Sequence, residues 1–460
     1  MNDTPSKRIE PISRTCAAAV VALLKAALVE CRPADRALAT FLRANHQLGS
    51  RDRRIISETL FSLLRWWGWL KHLTPELPPQ QKLLPSEEGY PAVTPASPKE
   101  YERYFAALAA CWLLDGRTEL PPSVYWWLYK YGVQEDRLPK LPSDAPLHER
   151  RKLLRPFFGK DEQLPPMPLE DLLPAWAWNL TDLPCPNENA LEWIQSRPPV
   201  WLRAQSKDMD RIIGELSAAE IRAVRSAHLP LAVRISSTGV NLRTLPAFQN
   251  GFLEVQDLAS QCVGHICAPL EGESWWDCCA GAGGKTLHLA WLMKGKGTIL
   301  ATDKRVYKLD DLKKRLARTG RSNIRCKEWL GIDVQRYHNL FHGVLLDAPC
   351  SCSGTWRRNP DARWTTTPED VEQLTQLQAT LLQNASTAVA PGGRLVYATC
   401  SMFHCENQDI VNAFLKTNPE FELEPFTAPL TGEQTNGMLQ IWPWHENCDA
   451  MFIARMKKKE

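Results

Sequence analysis

Long hydrophobic runs and a strong excess of one charge are both missing from this 460-residue sequence. No stretch approaches 18 uninterrupted apolar residues, and residues 1–14 lack the apolar segment of a signal peptide. The formal net charge is only +3, so an anionic partner would have to be held by local basic clusters. We therefore expect a monomeric, cytoplasmic chain that has no membrane partner.

The 14 cysteines also lack the spacings that zinc and iron–sulfur sites favour. No C-x-x-C pair occurs among the five cysteines that could cluster, which are Cys278, Cys279, Cys350, Cys352 and Cys400. The cysteines are scattered through apolar runs of a long chain, so most of them should be reduced thiols that pack as small core residues. We expect no bound metal. A serine hydrolase is disfavoured as well, because the G-x-S-x-G elbow is absent.

Composition divides the chain into four regions. Residues 1–160 have helical patterns, interrupted near 74–99 by a proline-rich loop that a regular helix cannot cross. A proline-rich linker at 161–187 leads to a small α+β module at 188–250. In residues 251–460, short apolar strands alternate with amphipathic helices, which is typical of a parallel α/β sheet. We predict a Rossmann-like α/β domain at the C-terminus, preceded by the module and an all-helical domain.

A glycine-rich loop follows the first predicted strand of the last region, within WWDCCAGAGGKTLHLA (residues 275–290). Glycines let the backbone approach a ligand and turn into a helix whose first N–H groups face it. The next strand ends at Asp303, where a nucleotide-type ligand would have a carboxylate on its ribose. Lys285 could neutralise a ligand carboxylate or Asp347, or be solvated. The loop has neither G-x-G-x-x-G nor G-x-x-x-x-G-K spacing, so a dinucleotide, S-adenosylmethionine and a plain turn all remain open.

Two later strand ends each deliver a cysteine followed by serine, in GVLLDAPCSCSG (343–354) and GRLVYATCSMF (393–403). Ligands collect at the carboxyl ends of strands in doubly wound sheets, so Cys350 and Cys400 should face one crevice. Such a pair suits methylation of cytosine C5, a poor nucleophile that becomes reactive when a thiolate adds to C6. Asp347 is placed to bind the ring at its amino group or N3. Structural burial is the alternative for either cysteine.

Several stretches together resemble the Nop/Sun family of RNA 5-cytosine methyltransferases, most closely its bacterial ribosomal-RNA type. They are LGSRDRRIISETLFSLLRWW, PPVWLR, GFLEVQDLASQ, DCCAGAGGKTLHLA, ATDKR, LLDAPCSCSGTWRRNPDARW and YATCSMFHCENQDIV. The resemblance implies a class I methyltransferase domain, S-adenosylmethionine as the cofactor and RNA, in particular ribosomal RNA, as the substrate. It also implies that the helices of residues 1–160 form an antiterminator-like RNA-binding domain.

The resemblance assigns roles to individual residues. Cys400 would attack C6 and Cys350 would assist elimination, whereas DNA-methylating relatives use the P-C cysteine as the nucleophile. Lys285 and Asp347 would complete the catalytic set. The residues implied to line the cofactor site are Cys279, Ala280, Gly281, Ala282, Gly283, Gly284, Lys285, Asp303, Asp333 and Asp347.

Three positions depart from the family pattern. Ala282 stands where the usual C-A-A-P-G-G-K loop has proline, which should leave the loop more flexible. Leu330 takes the place of an acid that binds adenine, so Asp333, Glu328 or a backbone group would have to substitute. Cys352 replaces a residue that is usually small, and no role is predicted for it.

Basic residues beside the P-C-S motif predict an RNA contact, namely Arg357, Arg358 and Arg363. Such groups position RNA through its phosphates, and a flipped base could stack on Trp356 or Trp364, although core packing explains these tryptophans equally well. The predicted function is methyl transfer from S-adenosylmethionine to cytosine C5 in RNA. The alternatives are a catalytically silent RNA-binding assembly factor and a methyltransferase acting on protein or a small molecule.

Overall fold

The computed structural model describes residues 9–86, 89–117, 119–142, 144–158, 165–183, 188–236, 241–331 and 334–460. The α-helices are α1 (Ile9–Leu28), α2 (Ala34–Ala44), α3 (Ser50–Arg65), α4 (Trp67–Leu70), α5 (Pro98–Tyr101), α6 (Phe105–Leu114), α7 (Pro122–Tyr131), α8 (Leu147–Arg150), α9 (Glu188–Gln195), α10 (Met209–Ala218), α11 (Pro246–Gln249), α12 (Leu258–Cys267), α13 (Gly284–Leu292), α14 (Val306–Thr319), α15 (Pro360–Thr365), α16 (Pro368–Ser386) and α17 (Gln408–Thr417). The strands are β1 (Val200–Ala204), β2 (Ala223–Arg225), β3 (Ala232–Ile235), β4 (Leu253–Val255), β5 (Ser274–Asp277), β6 (Thr298–Asp303), β7 (Ile324–Glu328), β8 (Phe341–Asp347), β9 (Val389–Thr399), β10 (Phe421–Leu423), β11 (Met438–Ile441) and β12 (Met451–Lys458).

The chain divides into two units, and the first is helical. It comprises Met1–Asn179, Leu183–Ser196 and the later segment Trp356–Thr366, which contains α15. Helix α1 is long and apolar enough to cross a membrane, but most of it is buried among α2, α3 and α7, as the central helix of a packed core would be. The predicted helical N-terminal region is confirmed. Because α9 and α15 both belong to this unit, its boundaries differ from the predicted ones at 160 and 188.

The second unit begins its main part at Arg197 with a small antiparallel sheet in the order β2-β3-β1-β4. Leu202 of β1, Val233 of β3 and Leu253 of β4 are fully buried and pack with Ile212 and Leu216 of α10. The mixed α+β content predicted for the module at 188–250 is therefore present, with four strands and α10 among the described residues.

The larger sheet of the second unit has eight strands in the order β10-β12-β9-β8-β5-β6-β7, with β11 paired to β12. Strands β5 to β9 run parallel to their neighbours, whereas β12 is antiparallel to β9. Helices cover both faces, which is why the central strands are apolar runs rather than alternating ones. The strand order reverses direction between β5 and β8. Ligands of such doubly wound sheets bind at this point, and the predicted Rossmann-like methyltransferase fold is confirmed.

Candidate active site

Parallel strand pairing brings the predicted catalytic residues together. Asp277 of β5 pairs with Leu345 of β8, and Asp347 of β8 pairs with Ala398 of β9. The segments after β5, β8 and β9 therefore emerge side by side at the carboxyl edge of the sheet. These three segments are the glycine loop, the P-C-S loop and the T-C-S loop, so the crevice predicted from the strand ends is present.

The glycine loop turns sharply between β5 and α13. Gly281 and Gly283 have φ angles of +54° and +83°, and Gly283 is the N-cap of α13. A Cβ added to Gly283 would lie 2.1 Å from Leu312 Cδ1 of α14, so only glycine lets the loop lie against that helix. At Gly281 an added Cβ would meet nothing nearer than Arg305 Nη2 at 4.0 Å. The loop is thus packed on one side and borders open space on the other.

Asp303, at the end of β6, binds the glycine loop as well as its own turn. Its Oδ2 accepts from the Gly281 N–H at 2.9 Å, and its Oδ1 accepts from the Arg305 N–H and Nε–H at 2.8 and 2.9 Å. Burial raises the pKa of this carboxyl, but the Arg305 and Gly281 bonds outweigh burial and hold the pKa below its ordinary value. Asp303 is therefore a fixed carboxylate beside the loop, at the position predicted for a ribose-binding acid.

Asp277 is a buried acid beneath the same loop that the sequence analysis did not select. Its Oδ2 accepts from Thr286 Oγ1 at 2.6 Å, while its Oδ1 has no hydrogen-bond partner among the described residues. Burial raises the pKa of Asp277 to about 7, although the Thr286 bond opposes this. The sequence signal is its position as the last residue of a buried strand, directly before the loop.

Lys285 and Asp347 form an ion pair across the crevice, with 2.7 Å between Nζ and Oδ2. Lys285 lies in the first turn of α13, and Asp347 is the last residue of β8. Burial lowers the pKa of Lys285, but the Asp347 carboxylate raises it more, so the ammonium form is favoured. Burial raises the pKa of Asp347 above its ordinary value despite the ammonium. Of the two carboxylates predicted as partners of Lys285, a ligand carboxylate and Asp347, the structure shows the ion pair with Asp347.

Cys350 and Cys400 are adjacent, with their Sγ atoms 3.5 Å apart. Cys352 joins them, and the three Sγ atoms lie within 4.8 Å of one another. The Cys350 thiol lowers the pKa of Cys400, but Cys352 and burial raise it more, so the pKa of Cys400 is above its ordinary value. Hydrogen bonds from Cys350 and Cys400 lower the pKa of Cys352. The arrangement can hold one negative charge shared by neighbouring thiols.

Glu406 connects the two cysteine loops and was also missed by the sequence analysis. Its fully buried carboxylate accepts from the Ser351 N–H at 2.8 Å and from the Ser351 and Ser401 hydroxyls at 2.5 Å each. Gln378 Nε2 donates to it at 3.0 Å. The serine that follows each cysteine is the sequence signal, because both serines bind the same carboxylate. Glu406 thereby fixes the positions of Cys350 and Cys400.

The other predicted cofactor residues lie along the same loop or beyond it. Cys279 and Ala280 follow β5, Ala282 O accepts from Arg315 Nη1 at 2.6 Å, and Gly284 begins α13. Leu330 is 68% exposed, so it contributes no buried contact at the position usually held by an acid. Of its predicted substitutes, Glu328 is the last residue of β7 and pairs with Asp303. Asp333 lies outside the described residues.

Burial contradicts the predicted RNA contacts of Arg357 and Arg363. Arg363 is 0% exposed, and its guanidinium donates to the backbone oxygens of Arg65, Leu172 and Ile194 in the first unit. Arg357 is 2% exposed and donates to Ser196 Oγ at 2.7 Å. Guanidinium groups committed to internal acceptors cannot bind phosphate, so these two predictions are wrong.

Arg358 and the two flanking tryptophans differ among themselves. Arg358 is half-buried, and its predicted RNA contact stays a prediction. Trp356 is 1% exposed, and Trp364 Nε1 donates to Leu64 O at 2.7 Å. Core packing, rather than base stacking, accounts for Trp356.

Comparison with known proteins finds similarity to methyltransferases, and the family model matches the C-terminal part of the chain. Residues 265–457 match the family model described as "16S rRNA methyltransferase RsmB/F". The "Probable ribosomal RNA small subunit methyltransferase B" of Synechocystis sp. is 36% identical over 281 residues, covering 59% of this chain and 63% of that protein. The "Ribosomal RNA small subunit methyltransferase B" of Salmonella newport is 34% identical over 281 residues, covering 59% and 62%. The crystal structure of PH0851 superposes with a TM-score of 0.72 at 25% identity, covering 97% of this chain and 99% of that one.

This chain spans 63% and 62% of the length of those two curated relatives. The matches confirm the predicted class I methyltransferase fold, and they agree with the predicted family and with S-adenosylmethionine as the predicted cofactor. Residues 265–457 therefore match the RsmB/F methyltransferase family model, which agrees with the Nop/Sun resemblance of the sequence motifs.

Proposed function

We propose that this protein transfers a methyl group from S-adenosylmethionine to C5 of a cytosine in RNA, through a transient bond between Cys400 and C6. The observation that carries the proposal is the 3.5 Å separation of the Cys350 and Cys400 sulfurs beside the Lys285–Asp347 ion pair. Two thiols serve different steps of this reaction, whereas methylation of protein or a small molecule needs neither. The names of the relatives favour ribosomal RNA as the substrate.

The residues around the glycine loop fit the cofactor. The loop borders open space at Gly281, and the first turn of α13 leaves N–H groups without intrahelical acceptors, which suits a carboxylate. Asp303 would bind the ribose, and Lys285 would offset the negative charge at the crevice. When bound there, S-adenosylmethionine supplies an electrophilic methyl group.

Each step on the base has a candidate residue. The Cys400 sulfur adds to C6, which places electron density at C5. Asp347 binds the ring at its amino group or protonated N3 and is held in place by Lys285. Cys350, next to Cys400, assists removal of the C5 proton, after which the Cys400–C6 bond breaks and the 5,6 double bond returns. Because the pKa of Cys400 is raised, its thiol form is favoured, and its proton has to leave as the sulfur adds to C6.

Single-cysteine variants test the proposal. The full chain is incubated with S-adenosylmethionine labelled in the methyl group and with ribosomal RNA, which is then digested to nucleosides. Label in 5-methylcytidine supports the proposal, and retention of RNA without label supports a silent assembly factor. Cys400→Ala should abolish transfer, whereas Cys350→Ala should accumulate a covalent protein–RNA adduct.

Cys405→Ala is the matched control, because Cys405 is also half-buried but lies outside the thiol cluster. It should transfer methyl groups at the rate of the unchanged chain. A trapped adduct in Cys400→Ala, instead of Cys350→Ala, would reverse the two roles.

A further inference from the structure

The third thiol of the crevice has no part in the proposed methyl transfer. Cys352 Sγ lies 3.5 Å from Cys350 O, and its Sγ lies within 4.8 Å of both the Cys350 and Cys400 sulfurs. All three side chains are half-buried and belong to the second unit. The three sulfurs therefore lie close together, on residues that are partly exposed.

The backbone conformation of Cys352 is unusual for a residue other than glycine. Its φ is +56°, in the left-handed region that residues with a Cβ rarely adopt. Glycine would adopt this conformation without strain. The chain thus carries a strained cysteine where the turn favours glycine, and the side chain gained is a sulfur facing the two others.

We propose that Cys350, Cys352 and Cys400 form a binding site for one thiophilic cation, of the class of Zn²⁺, Cd²⁺ and Cu⁺. Metal–thiolate bonds are about 2.3 Å long, so three sulfurs around one cation lie roughly 3.8–4.0 Å apart. The separations are compatible with that range, since the Cys350 and Cys400 sulfurs lie 3.5 Å apart and no pair of the three is more than 4.8 Å apart. Small rotations of the side chains complete the site. Thiolates are soft ligands, which excludes Mg²⁺ and Ca²⁺.

The protons and charges of the site can be counted. A divalent cation bound by three thiolates carries one net negative charge and releases three protons to solvent. The Lys285 ammonium, which is paired with Asp347, also interacts electrostatically with Cys400 and offsets that charge only in part. Solvent fills the remaining coordination position, because the cluster comprises only three ligands among the described residues.

The consequence is a reversible block of methyl transfer. A cation bound at the cluster occupies the sulfur that would add to C6 and the sulfur that would assist elimination. This block rests on the proposed function, whereas cation binding itself depends only on the three thiols.

The test titrates the reduced full chain with Cd²⁺ alone and follows the ultraviolet thiolate-to-metal charge-transfer absorbance. The unchanged chain should bind one equivalent at the cluster. Cys352→Ser should weaken binding by about tenfold or more, since it removes one soft ligand. Cys405→Ser, outside the cluster, should bind as the unchanged chain does. No absorbance change in the unchanged chain, or equal affinity in Cys352→Ser, would overturn the site.

Methyl transfer, measured in parallel, separates the site from the function. Without cation, Cys352→Ser should still transfer methyl groups, which also shows that the variant folds. With Cd²⁺, the unchanged chain should lose transfer and regain it with a chelator, while Cys352→Ser should resist at the same concentration. Cation binding with no transfer under any condition would refute the proposed function and leave the site standing. Cation binding with undiminished transfer would refute the block.

Discussion

Replacing Glu406 with alanine removes the carboxylate that joins the two cysteine loops. After truncation the Ser351 and Ser401 hydroxyls can bond each other, since they lie 3.4 Å apart, and Gln378 keeps its bond to Pro349 O at 2.9 Å. The Ser351 N–H, however, has no other hydrogen-bond acceptor among the described residues. An unmet buried donor costs about 1–3 kcal/mol, and each lost bond to a charged group about 1.5–3 kcal/mol, partly offset because no charge is then buried. We expect Glu406→Ala to destabilise the fold by about 3 kcal/mol.

Urea unfolding followed by tryptophan fluorescence measures this loss. Glu406→Gln, which keeps the shape and one acceptor oxygen, should fall between alanine and the unchanged chain. Asp409→Ala is the matched control, because that carboxylate is 56% exposed and its Oδ2 lies 2.8 Å from His404 Nδ1, outside the two cysteine loops. It should stay within about 0.5 kcal/mol of the unchanged chain. A wild-type unfolding midpoint for Glu406→Ala would refute the reasoning.

The same variant tests positioning. A displacement of about 1 Å at a reacting group can cost roughly a hundredfold in rate. Glu406→Ala should therefore lower the rate of adduct formation by Cys400 at urea-free, fully folded conditions. Normal adduct formation in a destabilised but folded variant would mean that Glu406 supports the fold without positioning the thiols.

Three further predictions concern the cofactor side of the crevice. Burial holds the pKa of Asp277 at about 7 in the native state, against about 3.9 in the unfolded state, so between these values only the native state keeps the proton. The free energy of unfolding should therefore fall by up to about 4 kcal/mol as pH rises from 4 to 7. Urea unfolding at both pH values should show that Asp277→Asn lacks this fall. An added Cβ is crowded at Gly283 but meets open space at Gly272, and both glycines have a positive φ. Thermal unfolding should therefore show a clearly larger loss of stability for Gly283→Ala than for Gly272→Ala. Equal losses of stability would contradict the packing argument. Lys285→Met removes the ammonium that opposes the raised pKa of Asp347, so the acidic limb of the rate–pH profile should move to higher pH, and an unmoved limb would show that Asp347 does not titrate in the reaction.

The large sheet was predictable because its central strands are buried on both faces. Each of β5, β6, β8 and β9 is a short apolar run, and the sequence predicts each of them. Strand β7 was not recognised, since it lies at the sheet edge and three of its five residues are charged, in IRCKE. Pairing with β6, rather than its own side chains, makes that segment a strand.

The sequence does not show whether a charged side chain near the site is exposed or buried. Arg363 stands in a basic stretch beside the P-C-S motif, which favoured an RNA contact, yet it is buried against backbone oxygens. A solvated arginine and an arginine that satisfies carbonyl groups have the same letter and the same neighbours in sequence. Only the packing of segments from residues 65, 172 and 194 around it distinguishes the two.

The sequence predicts no metal site because the cysteines lack a C-x-x-C spacing. Ligand spacing such as C-x-x-C identifies sites built within one turn, whereas Cys350 and Cys400 are brought together by two parallel strands in register. A search by local spacing cannot find such a pair. The third sulfur comes from Cys352, two residues after Cys350, whose own left-handed backbone turns its side chain back towards Cys350.

The repeated cysteine–serine pattern follows from that same register. Strands β8 and β9 end side by side, so the residues after them meet the same neighbours. One buried carboxylate, Glu406, then binds the serine of each loop, and a hydroxyl after each cysteine is what that geometry requires. The two loops are therefore one structural unit, in which the distance between the thiols is set by a shared acceptor. Ser351→Ala and Ser401→Ala should accordingly cost less stability together than the sum of their separate effects, because the first change already loosens the carboxylate that the second would lose.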